Sequence, residues 1–161
     1  MKVMLRKRGL SGLVLLAAVF WLPACSSTRP YHDVYQKNLE IHTKTKSDSI
    51  LLKVGASLHV YRVTGPCKVE YQGPVGLGDG LTNVGIPVGK PSYLSFEFNT
   101  SGILGGYSSS TDTSTVITPS PGHRYRINAS YVDSIYSVEV AVQSPHGGKR
   151  TVLPLQKLSG C

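Results

Sequence analysis

Five histidines, nine carboxylates, three cysteines and one glycine-rich run are the residues of this 161-residue chain that could do chemistry. The histidines His32, His42, His59, His123 and His146 never stand at i, i+2 or i, i+4, the spacings that turn two imidazoles toward one cation on a strand or a helix. No metal site is expected from them, and His59 reads as a half-buried packing residue of a strand. Asp33, Glu40, Asp48, Glu70, Asp79, Glu97, Asp112, Asp133 and Glu139 are dispersed, so no pair is placed by sequence into general-acid and general-base roles. Serine is abundant, yet no G-x-S-x-G elbow presents one as a nucleophile. The run Gly76-Leu77-Gly78-Asp79-Gly80 has the composition of a phosphate-binding loop, which must be followed by a helix whose N-terminus receives the anion. Asn83 to Val88 is too short for that helix and contains Pro87, so the run reads as a turn. Neither Cys67 nor Cys161 has a second cysteine in a C-x-x-C spacing or a histidine within five residues, the usual marks of a redox or metal thiol. A catalytic site and a cofactor are therefore not expected, and an envelope hydrolase built from residues of distant strands stays as the alternative.

The third cysteine has a different setting. Lys2, Arg6, Lys7 and Arg8 precede the apolar run Leu13 to Leu22, and Leu22-Pro23-Ala24-Cys25 follows. A charged segment, an apolar segment and a small residue are the three parts of a secretory signal peptide. Ten apolar residues are too few for a membrane-crossing helix, which takes about 20. The stretch resembles the lipobox of bacterial lipoproteins, with Pro23 in a place more often held by alanine or serine. The resemblance implies cleavage before Cys25, lipidation of its sulfur and a permanent hold on a membrane, because several acyl chains anchor where one binds reversibly. Ser26, where an inner-membrane lipoprotein tends to carry aspartate, implies the outer membrane, with the protein facing the periplasm.

Setting residues 1–24 aside leaves 137 residues with a net charge of +4 in place of +8. Such mild, scattered basicity gives no reason to expect nucleic acid, and leaves an envelope protein, peptidoglycan or lipopolysaccharide as candidate partners beside the membrane. With Cys25 assigned to the lipid, Cys67 and Cys161 are an even count in an oxidising compartment and are expected to pair.

These residues are positioned by strands. Tyr125, Ile127, Ala129 and Tyr131 alternate with Arg124, Arg126, Asn128 and Ser130, and Tyr136, Val138, Val140 and Val142 alternate after Asp133-Ser134, which reads as a hairpin. Leu94, Phe96 and Phe98 share a parity in Ser92 to Phe98, as do Leu58 and Val60 in Ser57 to Val63. Leu39 to Lys44, Lys68 to Gln72, Thr115 to Thr118 and Arg150 to Leu153 complete about eight strands, while Tyr31 to Ile41 has the option of a short helix. Gly65-Pro66, Gly73-Pro74, Gly85 to Pro91, Pro119 to Gly122 and Pro145 to Gly148 punctuate them. The expected fold is an all-β, antiparallel sandwich or open barrel over residues 38–161, after a signal peptide (1–24) and a lipidated, flexible tether (25–37). Asn99 to Thr115, rich in Gly and Ser, is expected to be a mobile loop.

The turns Ile86-Pro87-Val88-Gly89-Lys90-Pro91-Ser92-Tyr93 and Pro119-Ser120-Pro121-Gly122-His123-Arg124-Tyr125 resemble those of PEGA-like envelope domains. At the level of architecture the chain is similar to lipoproteins of secretion machines, namely the transthyretin-like lipoprotein of type VI secretion and the pilotins. These resemblances imply a binding or assembly module of the cell envelope.

Overall fold

The computed structural model describes residues 29–161 apart from 48, 104, 106, 107 and 146, so the lipobox and Cys25 lie outside the described residues. The strands are β1 (Leu39–Lys46), β2 (Leu52–Gly65), β3 (Lys68–Leu77), β4 (Gly80–Val84), β5 (Ser92–Gly102), β6 (Ser108–Ile117), β7 (Arg124–Val132), β8 (Ile135–Gln143) and β9 (Thr151–Leu153). They form two sheets, one ordered β4-β1-β7-β8-β9 and one ordered β3-β2-β5-β6. Period-two patterning explains the packing: Leu58, Val60, Leu94, Phe96 and Phe98 from the second sheet meet Leu39, Ile41, Tyr125, Ile127, Ala129 and Val140 from the first. The β7–β8 hairpin turns through Asp133 and Ser134, both at positive φ (53° and 63°), the signature of the tight turn whose twist matches its strands.

Four expectations are corrected. Pairing is not wholly antiparallel, because β1 runs parallel to β7, with Ile41 beside Ile127. Asn99 to Thr115 is mostly a β5–β6 hairpin and not a mobile loop, paired from Ser92↔Ile117 to Ser101↔Ser108. Its threonines supply the reason: Thr111, Thr113 and Thr115 stand beside Phe98, Phe96 and Leu94 on the inner side, and β-branched residues suit a pleated strand even when polar. Gly73-Pro74 does not separate strands. It lies within β3 beside a bulge, where the pairing steps from Val60↔Gly73 to Tyr61↔Tyr71 and leaves Gln72 unpaired. Finally, Tyr31 to Ile41 forms no helix. The Tyr31 N–H donates to Pro74 O at 3.0 Å, the Tyr31 hydroxyl to Gly85 O at 2.8 Å, and the Gly85 N–H to the Asp33 carboxylate at 3.1 Å, so this segment's polar groups are used by the sandwich.

The stretch assigned to a tether is thus docked from Tyr31 onward, and two glycines make room for it. A Cβ on Gly73, itself at φ 130°, would stand 2.6 Å from Tyr31 N, and one on Gly85 would overlap the carbonyl oxygen of Tyr35 and come within 2.7 Å of Asp33. Gly85→Ala is therefore expected to displace residues 31–35 at a cost of about 1–3 kcal/mol. Faster tryptic cleavage at Lys37 in the variant is the check, and unchanged cleavage would contradict the docking.

Burial, with smaller contributions from the charges of Asp33 and Tyr35, pushes the Tyr31 phenol up to about 12. A folded pKa above the unfolded value of 10.0 means that the neutral form stabilises docking fully below pH 10, and that this contribution is lost as pH rises through about 12. Melting temperature should fall over that window more steeply than in Tyr31→Phe, which has no phenol to ionise there; parallel curves would contradict it.

At the same end of the fold, Asn38 acts as a two-way clamp. Its side-chain amide donates to Ile86 O at 2.8 Å and accepts from Ile86 N at 3.0 Å, while Tyr125 N donates to its backbone carbonyl at 2.9 Å. Buried amide groups need such partners, and these join the turn after β4 to β1 and β7.

Candidate functional site

Cys67 and Cys161 form a disulfide with their Cα atoms 5.2 Å apart, within the span such a bond requires. Cys67 sits in the β2–β3 turn at φ 52°, a left-handed conformation uncommon for a residue with a side chain. After β9 the chain leaves the five-stranded sheet and runs beside β6. There Gln156 N donates to the Thr115 hydroxyl at 3.0 Å and Val116 N to Gln156 O at 2.9 Å. It then reaches the β2–β3 turn, where Cys67 N donates to Ser159 O at 3.1 Å. Hydrogen bonds to an edge strand and a covalent bond to a hairpin tip make the C-terminus a strap across both sheets, and it covers the edge of β6 at Thr115 and Val116.

The outer face of the four-stranded sheet gathers a histidine, two carboxylates and three tyrosines, and strand register explains it. Ser57, His59 and Tyr61 share the outward parity of β2, opposite the parity that buries Leu58 and Val60. Pairing places Tyr61 beside both Tyr71 of β3 and Tyr93 of β5, and places Glu97 of β5 beside Asp112 of β6. His59 lies between them. Its Nδ1 is 2.9 Å from the Tyr71 hydroxyl and its Nε2 is 2.8 Å from Glu97 Oε2. A phenol donating to Nδ1 and an Nε2–H donating to the carboxylate satisfy all three groups. Burial first, and then the charge of Glu97, raises the Tyr71 pKa. Tyr61 is raised as well, chiefly by burial and next by its tyrosine neighbours and the two carboxylates. The ring centroids of Tyr61 and Tyr71 are 5.0 Å apart and those of Tyr61 and Tyr93 are 5.5 Å apart, within the range of favourable aromatic contact. An open depression beside the rings is lined by His59, Tyr61, Ser95, Glu97, Ser110 and Asp112.

Ser57 is not placed as the hydroxyl of a serine-histidine-carboxylate triad. In a triad the hydroxyl and the carboxylate occupy opposite ring nitrogens, whereas here the Ser57 hydroxyl, at 3.3 Å, and Glu97 share Nε2. The arrangement joins a phenol and a carboxylate through the two nitrogens of one imidazole. Among the described residues no three His, Cys, Asp or Glu side chains gather as a cation would require.

Other residues singled out from the sequence have structural surroundings. Asp79, from the glycine-rich run, accepts from the backbone and hydroxyl of Thr45 at 2.7 and 2.8 Å and fastens the β3–β4 turn to β1. Glu40 faces Arg126 at 3.2 Å and Arg124 at 3.5 Å on the outside of the five-stranded sheet. His123 meets the carbonyl of Pro121 at 3.1 Å within its own turn. The reading of His59 as a packing residue missed its role at the centre of the cluster. Its outward parity between Ser57 and Tyr61 was visible in the sequence, but its partners come from β3 and β5, whose registers were not.

Fold and surface together define a two-sheet β-sandwich with a disulfide-strapped C-terminus and a tyrosine-rich outer sheet face. Among known proteins, no family model, no curated protein and no solved structure matches the chain.

Proposed function

We propose that the protein is an outer-membrane-anchored lipoprotein whose sandwich faces the periplasm and serves as a binding or assembly module of the cell envelope. The anchor part rests on the charged and apolar leader that ends in Leu22-Pro23-Ala24-Cys25. Docking of the chain at Tyr31 gives the anchor a mechanical meaning, because the six steps from Cys25 to Tyr31 span at most about 20 Å even when fully extended. The sandwich is held close to the membrane, with the Gly73 and Gly85 side nearest the lipid.

The binding part rests on one observation above all: the outer face around His59 is exposed to solvent, yet its side chains are fixed by mutual hydrogen bonds. Ordering exposed groups costs conformational entropy, and groups ordered in advance lose less on meeting a ligand.

A photo-crosslinking residue at Ser110, within the depression, and one at Ser137, on the outside of the other sheet, separate the possibilities in living cells. Crosslinks to an envelope protein or polymer from position 110 but not from 137 are the expected result. Absence of a partner at both positions, together with hydrolysis of envelope polymers by the purified protein, would overturn the reading in favour of a hydrolase.

A further inference from the structure

Basic residues that are scattered in the sequence gather in the fold. We infer that the end of the sandwich where the N-terminal segment docks lies on the anionic phospholipid headgroups of the leaflet that holds the anchor, so that the opposite end points away from the membrane. This inference rests on the lipoprotein reading above and deepens it.

Strand direction defines the end. β1, β3, β5, β7 and β9 begin there and β2, β4, β6 and β8 finish there, because Leu39 pairs with Val84 and Tyr125, Ser92 with Arg62 and Ile117, and Arg124 with Gln143. Residues 85–91 and 118–123 cross from one sheet to the other here, so both sheets share it. Tyr31 and Asp33 dock at the same place, on Gly85.

The charges of this end are one-sided. Arg29 precedes the docked segment, Lys68 opens β3, Lys90 stands in the β4–β5 connection, Lys149 and Arg150 come just before β9, and Lys157 lies on the C-terminal strap. All six residues are exposed, and among the described residues none of them forms an ion pair. The side-chain carboxylates nearby already have cations: Asp33 has Lys37, Glu70 has Arg62, and Glu40 has Arg124 and Arg126. The α-carboxylate of Cys161 remains to oppose the six. The other end of the sandwich has no such surplus, since Lys44, Lys46 and Lys53 are set against Asp79 and Asp133 and, in the sequence, Asp48.

Apolar groups accompany the cations. Val34, Tyr35 and Val88 are exposed, and the first two line an open depression with Pro87. Tyrosine, with an apolar ring and a polar hydroxyl, suits the boundary between headgroups and acyl chains.

Charge and chain length together select the occupant. Any anionic polymer or acidic protein meets the requirement of charge. The membrane also meets that of length, because the six steps from Cys25 to Tyr31 keep this end within about 20 Å of the acyl chains. The tether makes the contact intramolecular, so modest attraction is enough to hold it. That attraction acts within a Debye length, about 8 Å at physiological salt, and each Lys or Arg at an anionic surface adds to it. The opposite end exposes Ile50, Leu51, Ile103 and Ile135, yet it lacks the surplus of cations and stands a strand's length from the tether.

The test uses the native lipidated protein in nanodiscs that contain a trace lipid with a gadolinium chelate on its headgroup, and reads the broadening of amide resonances. In discs of phosphatidylethanolamine and phosphatidylglycerol, the amides of Val34, Lys68, Val88 and Lys149 should broaden, while those of Asp79, Ile103 and Ile135 should not. The contrast should fade at high salt and in discs of phosphatidylcholine alone, where the anchor persists without the negative surface. Lys68→Glu, Lys90→Glu and Lys149→Glu should each weaken docking by about fivefold or more. Melting temperature should not change, because these side chains form no ion pair among the described residues. Equal broadening at both ends, or a contrast indifferent to salt, lipid charge and the three substitutions, would overturn the inference, as would stronger broadening at Ile103 and Ile135. Displacement of this end from the discs by stoichiometric oligoglutamate would overturn it in favour of an acidic protein partner. The intact mass of the same sample separates this inference from the reading beneath it. Acyl chains present without the contrast sink the docking alone, and acyl chains absent sink the anchor and the docking with it.

Discussion

Cys161→Ser is expected to lower the stability of the sandwich by about 4 to 5 kcal/mol, on the order of 15 °C in melting temperature for a domain of this size. The bridged residues are 94 positions apart, and cross-linking so long a loop removes a large part of the freedom of the unfolded chain. Removal of the bond restores that freedom and loosens the strap, whose hydrogen bonds from Gln156 to β6 and from Ser159 to the β2–β3 turn then stand alone. Cys67→Ser should cost the same, because either change breaks the same bond, and the double variant should be no worse than either. Cys67→Gly should cost about 1 kcal/mol less than Cys67→Ser, since glycine relieves the left-handed backbone at φ 52°. Thermal melts of the four variants, with non-reducing peptide mapping of the parent, check the series. Additive losses, or a free thiol at Cys67 in the oxidised protein, would contradict the strap.

Cys25→Ser should have an all-or-none effect on lipidation. The sulfur of Cys25 is the atom that would carry the lipid, and serine cannot form the thioether, so the variant should appear as an uncleaved precursor or a soluble periplasmic protein. The sandwich itself should be unaffected, with the parent's melting temperature, because the hydrogen bonds of the described N-terminal segment begin at Tyr31. Fractionation after a high-salt wash is the measurement. Persistence in the membrane pellet of a variant that has lost residues 1–24 would mean that something other than an acyl chain holds the protein there.

The fold was legible where one face of a strand must be apolar. Leu94, Phe96 and Phe98, or Tyr125, Ile127 and Ala129, announce an inner face by alternation alone, and they are buried. Legibility stopped where a strand owes its existence to a neighbour. Gly80–Val84 begins with glycine, exposes Leu81 and buries Val84, so it has little alternation of its own; pairing with β1 makes it a strand. The outer strand β6 was hidden for a related reason. Its Ser and Thr residues satisfy the backbone ladder of β5 without offering a hydrophobic pattern. The parallel contact of β1 with β7 joins Glu40 to Arg126 across 86 positions, and local patterning says nothing about such a register.

The same limit governed the surface. Cys67 and Cys161 could be paired by counting, because few cysteines leave few choices. His59, Tyr71 and Glu97 could not be brought together by counting, because 12 and 38 positions separate the histidine from its partners and three strands must align first. Each of them, seen alone, is an ordinary polar residue of an outward-facing strand position.

Anchoring of the sandwich by lipid, as proposed, can be read from the intact mass of the native protein extracted from membranes. The expected mass is that of a chain that begins at Cys25, lacks residues 1–24, and carries a diacylglyceryl thioether and an N-terminal acyl group, with two further hydrogens missing for the Cys67–Cys161 bond. A mass equal to the unmodified chain, or a cut at any other residue, would contradict it.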